Sequence, residues 1–81
     1  MKQLVYHSSP TCVPCKTLRP MVEAITVELG HEFVYLDIES NKPMVDNIFS
    51  VPTVAIFNNN ELEMILNPTM INKVNIRKAL S

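Results

Sequence analysis

Leu18, Met21, Val22, Ile25 and Leu29 follow the i, i+3, i+4, i+7, i+11 spacing of a single apolar stripe. That pattern predicts an amphipathic helix that begins after Cys12. Gly30, the only glycine of the chain, is placed to end it in a left-handed conformation. Pro20 lies inside the pattern and predicts a kink. Around this helix the periodicity changes. "QLVYH", residues 3–7, reads as a short buried strand, and "FVYLDI", residues 33–38, as a second one rich in aromatic and β-branched residues. "ESNKPMVDNIF" predicts a short helix, with Ser40 or Asn41 as candidate cap and Pro43 in its first turn. "TVAIF", residues 53–57, is nearly all apolar, as a central strand requires. Asn58, Asn59 and Asn60 supply the positive-φ geometry of a hairpin without glycine. "ELEMIL", residues 61–66, then alternates as an outer antiparallel strand. From Thr69 the spacing of Ile71, Val74, Ile76, Ala79 and Leu80 is helical again, although Asn72 and Asn75 weaken helix propensity.

The order is therefore β-α-β-α-β-β-α, an α/β fold. A helix between the first two strands implies a parallel pair with a right-handed crossover, and the last two strands form a hairpin. A mixed four-stranded sheet with helices on both faces follows. At 81 residues the chain has room for one domain, 1–81, and one core. Apolar residues make up 47% and charged residues 19%, which argues for a folded globule. A net charge of −1 points neither to nucleic acid nor to an anionic membrane surface. No apolar run approaches the roughly 18 residues of a membrane span, and "MKQLVYHSSP" is too short in apolar residues for a signal peptide. A cytoplasmic protein is expected. In that compartment structural disulfides are rare, and two cysteines are too few for a disulfide scaffold.

Those two cysteines, Cys12 and Cys15, form a C-x-x-C pair. Such a pair serves as half a zinc site, a structural disulfide or a dithiol–disulfide redox centre. Cys12 falls where the first strand ends and the helix starts. Unpaired N–H groups and about half a positive charge at a helix start stabilise a thiolate there, and the thiolate is the nucleophile of thiol–disulfide exchange. Cys15 lies one turn on, within reach of the Cys12 sulfur. Pro14 is tolerated because the first turn does not need its N–H. Lys16 and Arg19 add nearby positive charge, a small effect when solvated. The expected cycle has Cys12 attack a target disulfide and Cys15 resolve the mixed disulfide. Zinc is the competing reading. A closed site takes four ligands, and the only histidines, His7 and His31, match no finger spacing.

Taken together, these residues resemble the thioredoxin superfamily, specifically its small bacterial or phage-type thioredoxin and glutaredoxin-like members. The likeness spans essentially the whole chain. "CVPCK" is similar to Cys-Gly-Pro-Cys-Lys, with Val13 in place of glycine. Pro20, five residues after Cys15, matches the proline that kinks the active-site helix. "SVPT" is similar to the family's Ile-Pro-Thr segment, so the resemblance implies a cis Val51–Pro52 bond facing the cysteines. It further implies a protein disulfide reductase with Cys12 as nucleophile and Cys15 as resolving thiol. Thr11, Val13, Pro14, Val51, Pro52 and Thr53 would form the surface on which an extended substrate segment pairs. No bound cofactor is implied. Implied partners are protein disulfides, ribonucleotide reductase among them by analogy, and an NADPH-using thioredoxin reductase as electron donor, with the chain a monomer. Alternatives are a glutathione-dependent glutaredoxin and a non-catalytic binding module on the same fold.

The departures from the family carry information. Thr11 stands where thioredoxins usually have tryptophan, as in many glutaredoxins. The extra N-terminal strand and helix of full-size thioredoxins are missing. The Gly-Gly and aspartate with which glutaredoxins hold glutathione are also missing. The buried aspartate of thioredoxins falls near Tyr6, leaving Tyr6, His7 and water as candidates to deprotonate Cys15. Among the other residues, His31 is expected at the surface. Asp37 and Glu39 read as solvated strand-end carboxylates, and the methionines as core filler. Met44 and Met70 border the substrate groove by the same likeness, and Phe49 is a core residue or an exposed contact.

Overall fold

The computed structural model describes residues 1–43 and 50–81. Its elements are β1 (Lys2–Ser8), α1 (Val13–Glu28), β2 (Glu32–Asp37), β3 (Thr53–Asn58), β4 (Glu61–Leu66), a 3₁₀ turn (Pro68–Met70) and α2 (Lys73–Leu80). The sheet order is β2-β1-β3-β4. β1 pairs parallel with β2 and antiparallel with β3, and β3 pairs antiparallel with β4. The most apolar runs thus occupy the two inner positions, where both faces of a strand are covered. The helix expected over residues 39–49 falls largely outside the described residues, as do Met44 and Phe49.

In β1, Leu4 and Tyr6 share a face, and opposite them in register stand Ile56 and Val54 of β3. These four pack against Cys15, Val22 and Ile25 of α1 and against Ile76, Ala79 and Leu80 of α2. Both described helices therefore lie on one face of the sheet. On the other face Val5, His7, Thr53 and Ala55 are buried. The expectation of helices on both faces rests on residues outside the described ones.

The expected first helix forms and runs through Pro20, but its stripe ends early. Leu29 is the C-cap, with Gly30 behind it at φ 79°, and it is 39% exposed. Once the chain leaves helical geometry, the i+11 position no longer points along the stripe. Thr26 takes the buried place instead, and its hydroxyl donates to the Val22 carbonyl at 2.7 Å.

The last helix starts at Lys73, later than the expected Thr69. The asparagines are the reason. Asn67 accepts from the Thr69 N–H at 3.1 Å and opens the 3₁₀ turn. Asn72 accepts from the Asn75 N–H at 2.8 Å and caps α2. Residues that weaken a helix interior are favoured at its start, where a side-chain oxygen satisfies an orphan N–H. Val74, expected in the apolar stripe, is 60% exposed. In the hairpin, Asn59 and Asn60 take φ of 54° and 68°, the geometry that a two-residue loop between twisted strands demands.

His31, expected at the surface, is half-buried and closes the lower end of the fold. Its Nδ1 accepts from the Lys2 N–H at 2.9 Å, so its Nε2 carries the proton and donates to the Leu80 carbonyl at 2.8 Å. Lys2 Nζ donates to the carbonyls of Ala79 and Ser81, both at 3.2 Å, and pairs with Glu63 at 3.0 Å. A cation is thus set on the carbonyl end of α2, where the helix dipole favours it.

Candidate active site

At the other end of β1, Cys12 is the N-cap of α1 with an extended backbone, φ −86° and ψ 106°. Its N–H donates to the Ser9 carbonyl at 3.1 Å. Its sulfur stands where an N-cap side chain normally accepts, and the Cys15 N–H donates to it at 3.1 Å. A helix-start N–H is therefore aimed at this sulfur, a placement that favours negative charge on it. Cys12 and Cys15 are joined as a disulfide with Cα atoms 5.3 Å apart. The two cysteines differ in access. Cys12 is half-buried, whereas Cys15 is 1% exposed and part of the core.

The Val51–Pro52 peptide is cis. The Val51 carbonyl lies 3.7 Å from Cys12 Sγ, across 39 residues of sequence. In the disulfide that sulfur carries no hydrogen, and a reduced Cys12 thiol would donate there. Pro52 is buried, Val51 half-buried, and the buried Thr53 spends its hydroxyl on the Ser50 carbonyl at 2.6 Å. Around the disulfide Thr11, Val13 and Pro14 are exposed, Val13 by 70%. Cys12 thus meets Val51 next to the exposed Thr11, Val13 and Pro14, while Pro52 is buried and the Thr53 hydroxyl ties down the Ser50 carbonyl. Arg19 stacks its guanidinium 4.0 Å from the Tyr35 ring centroid and pairs with Glu23 at 3.6 Å, so its charge is already engaged. Among the described residues no group of three or more His, Cys, Asp or Glu side chains is placed to hold a metal ion.

The model of the thioredoxin family matches residues 1–80. The chain belongs to the thioredoxin family. Among its relatives, a thioredoxin from Buchnera aphidicola is 40% identical over 55 residues, covering 63% of this chain and 51% of that protein. An Arabidopsis thaliana protein named NADPH-dependent thioredoxin reductase 3 is 38% identical over 63 residues, which cover 73% of this chain and 12% of that protein. The matches thus span about half the length of the Buchnera protein and about an eighth of the Arabidopsis one. Thioredoxin 1 of Thermosipho africanus shares the fold with a TM-score of 0.85 at 19% identity, over 96% of this chain and 89% of that one. The Fasciola hepatica thioredoxin does so with a TM-score of 0.82 at 20% identity, over 98% and 77%.

Against the family's buried aspartate, this thioredoxin-family chain has Tyr6. The Tyr6 hydroxyl donates to the Cys15 backbone carbonyl at 2.7 Å. Burial, with Tyr35 beside it, pushes the phenol up to about 12. Tyr6 therefore stays un-ionised and acts on the position of Cys15, not on its proton. His7 points to the opposite face, because side chains alternate along a strand. Its Nδ1–H donates to the Thr53 carbonyl at 3.1 Å, and burial lowers its pKa. Neither expected candidate on β1 is a base aimed at Cys15. Two further residues at the site make a contact that the sequence reading did not show, although Glu39 is exposed as expected. Ser9 is nearly buried beneath the active-site loop, and Glu39 accepts its hydroxyl at 2.7 Å across 30 residues. No periodicity or motif could have paired them, because only the parallel register of β1 and β2 brings their ends together.

Proposed function

We propose that this chain is a thiol–disulfide oxidoreductase that reduces protein disulfides through a Cys12–Cys15 cycle. The carrying observation is the contrast within the pair: a half-exposed sulfur at a helix start, held by a backbone N–H and linked to a buried partner. In the reduced form the Cys12 thiolate attacks one sulfur of a target disulfide. A Cys12–target bond forms and the target's other sulfur leaves as a thiolate. Cys15 then gives its proton to water or to the departing sulfur and attacks Cys12. The Cys12–Cys15 bond forms and the target leaves as a dithiol. Two electrons have passed from the pair to the target, whose two sulfurs take up the Cys15 proton, directly or through water, and one proton from solvent that replaces the one Cys12 released on ionising. Thr11, Val13, Pro14 and Val51 form the surface that an extended target segment covers, on a loop set by Pro52 and Thr53.

Electrons return to the pair from an NADPH-dependent thioredoxin reductase, a reading supported by the family and by the name of the Arabidopsis relative. The chain acts as a single domain and a monomer without a bound cofactor, in the cytoplasm, with ribonucleotide reductase a candidate target. No described helix is long and apolar enough to cross a membrane.

Coupled turnover tests the proposal. The oxidised protein is mixed with NADPH, a protein disulfide such as insulin, and either thioredoxin reductase or glutathione with its reductase. NADPH loss with thioredoxin reductase is expected. Loss only with glutathione would replace the donor and make the chain a glutaredoxin. Loss with neither would leave a binding module.

A further inference from the structure

The loop that carries Cys12 is fastened by a chain of polar bonds that ends on a carboxylate. Ser9 Oγ donates to Glu39 Oε2 at 2.7 Å. Having given its only proton, that oxygen can only accept from its other neighbours. It lies 3.1 Å from Thr11 Oγ1, which must therefore donate, and it accepts the Thr11 N–H at 3.3 Å. The chain has one direction, from Thr11 through Ser9 to Glu39. The Ser9 carbonyl meanwhile accepts the Cys12 N–H at 3.1 Å, which sets the residue at the helix N-cap. Whatever orients Ser9 thus orients the backbone of both Thr11 and Cys12.

Glu39 is itself held. Its N–H bonds Asp37 Oδ1 at 2.9 Å. The Asp37 carbonyl takes the N–H groups of Ser40 and Asn41 at 3.2 and 2.9 Å. The turn after β2 is anchored in turn to β1, since the Ile38 N–H donates to the Ser8 carbonyl at 2.9 Å and the Tyr35 hydroxyl to Ser8 Oγ at 3.3 Å. The Glu39 residue is exposed but its turn is hydrogen-bonded to β1, and Ser9, 8% exposed, keeps its end of the bond shielded from water.

We propose that Glu39 is a positioning residue: through Ser9 it holds Cys12 at the start of α1, where the helix N–H groups stabilise its thiolate. The inference rests on Cys12 being the attacking thiol. It predicts that breaking the brace slows Cys12 and raises the pH at which it becomes reactive, because a loosened N-cap sulfur loses the helix-start field.

Alkylation of the fully reduced protein by iodoacetamide is the test, with mass spectrometry locating the modified cysteine and the rate followed from pH 5 to 9. E39A and S9A are expected to slow Cys12 at neutral pH about threefold to tenfold, the range for a loosened helix-start interaction, and to move the pH midpoint upward. E39Q keeps an acceptor for the Ser9 hydroxyl, so it should stay within about twofold of wild type with no upward shift. If E39A and S9A match wild type, the brace does not exist as proposed. If E39Q falls as far as E39A, the charge acts and the brace does not, which equally overturns the proposal. Should S9A fail to fold, the E39A and E39Q pair decides alone. A wild-type protein alkylated first at Cys15 would instead sink the oxidoreductase assignment, and this inference with it.

Discussion

At the N-terminal end of β1, Lys2 gives its N–H to His31 and its ammonium to the last carbonyls of α2. At the C-terminal end, Ser8 and Ser9 receive bonds from Tyr35, Ile38 and Thr11, and Ser9 passes one on to Glu39. Both ends tie the central strand to distant segments through polar groups. At the lower end the Lys2 N–H passes through the His31 ring to the Leu80 carbonyl, and the Lys2 ammonium ends on the Ala79 and Ser81 carbonyls and the Glu63 carboxylate. At the upper end the bonds converge on a loop whose next residue is a half-exposed sulfur. Similar chemistry closes the fold in one place and aims a nucleophile in the other. The difference lies in what the held backbone carries.

The sharpest way to break this comparison is at the cysteines. Cys12→Ser should lower kcat/KM for insulin reduction by at least about a thousandfold, since the one other thiol of the chain, Cys15, is buried. Cys15→Ser should leave the first attack intact and accumulate a covalent mixed disulfide with the target, visible on a non-reducing gel. A variant that turned over normally without Cys12 would end the distinction between the two ends.

The next effect belongs to the lower end. His31→Ala removes two hydrogen bonds between β1, α1's exit and α2. It should cost about 1–2 kcal/mol, a fall of roughly 5–10 °C in Tm for a domain of this size. Turnover measured well below Tm should change less than about twofold, because the site lies at the far end of the strand. A large loss of turnover without a loss of stability would show that the two ends are coupled.

Tyr6→Phe probes the middle of the strand. It removes the bond to the Cys15 carbonyl and should cost about 1 kcal/mol in urea unfolding. The pH dependence of mixed-disulfide resolution should not move, since the phenol does not titrate in the working range. A shift in that profile would make Tyr6 the base after all.

The smallest expected effect is a pH dependence from His7. Burial holds its folded pKa below the ordinary 6.5. The unfolded chain therefore takes up the proton first as pH falls. Its contribution is flat above about 6.5 and becomes progressively destabilising below that value. His7→Asn keeps an N–H near the Nδ1 position without the titration. Urea midpoints between pH 5 and 7.5 should fall less steeply for this variant than for wild type, and equal slopes would refute the assignment.

Most of the strand pattern was legible because burial on a pleated sheet leaves a direct trace in residue type. β1, β2, β3 and β4 lie within a residue or so of their expected positions. The asparagine hairpin was legible for the same local reason, since few residues accept positive φ. The start of α2 was not. Propensity treats Asn72 as a penalty, whereas its capping bond makes it the boundary. The cysteine pair and the Val51–Pro52 segment stood out as motifs, and the structure brings them together. His31 did not stand out, because a polar residue on a turn looks solvated until its partner is known; Glu39 is exposed as expected, and what its residue type did not show is the Ser9 hydroxyl it accepts.

The sequence by itself determined the order of elements, the inner and outer strands, the redox pair and the helix start beneath Cys12. These follow from spacing along the chain, and spacing is what a sequence records. The tertiary structure alone decided which face each β1 side chain serves at the site, that Tyr6 meets the Cys15 carbonyl, that His31 clasps two ends of the chain and that Glu39 reaches Ser9. Those contacts join residues 9 to 49 positions apart. They depend on strand register and on how the helices settle on the sheet, and neither is written in any local pattern.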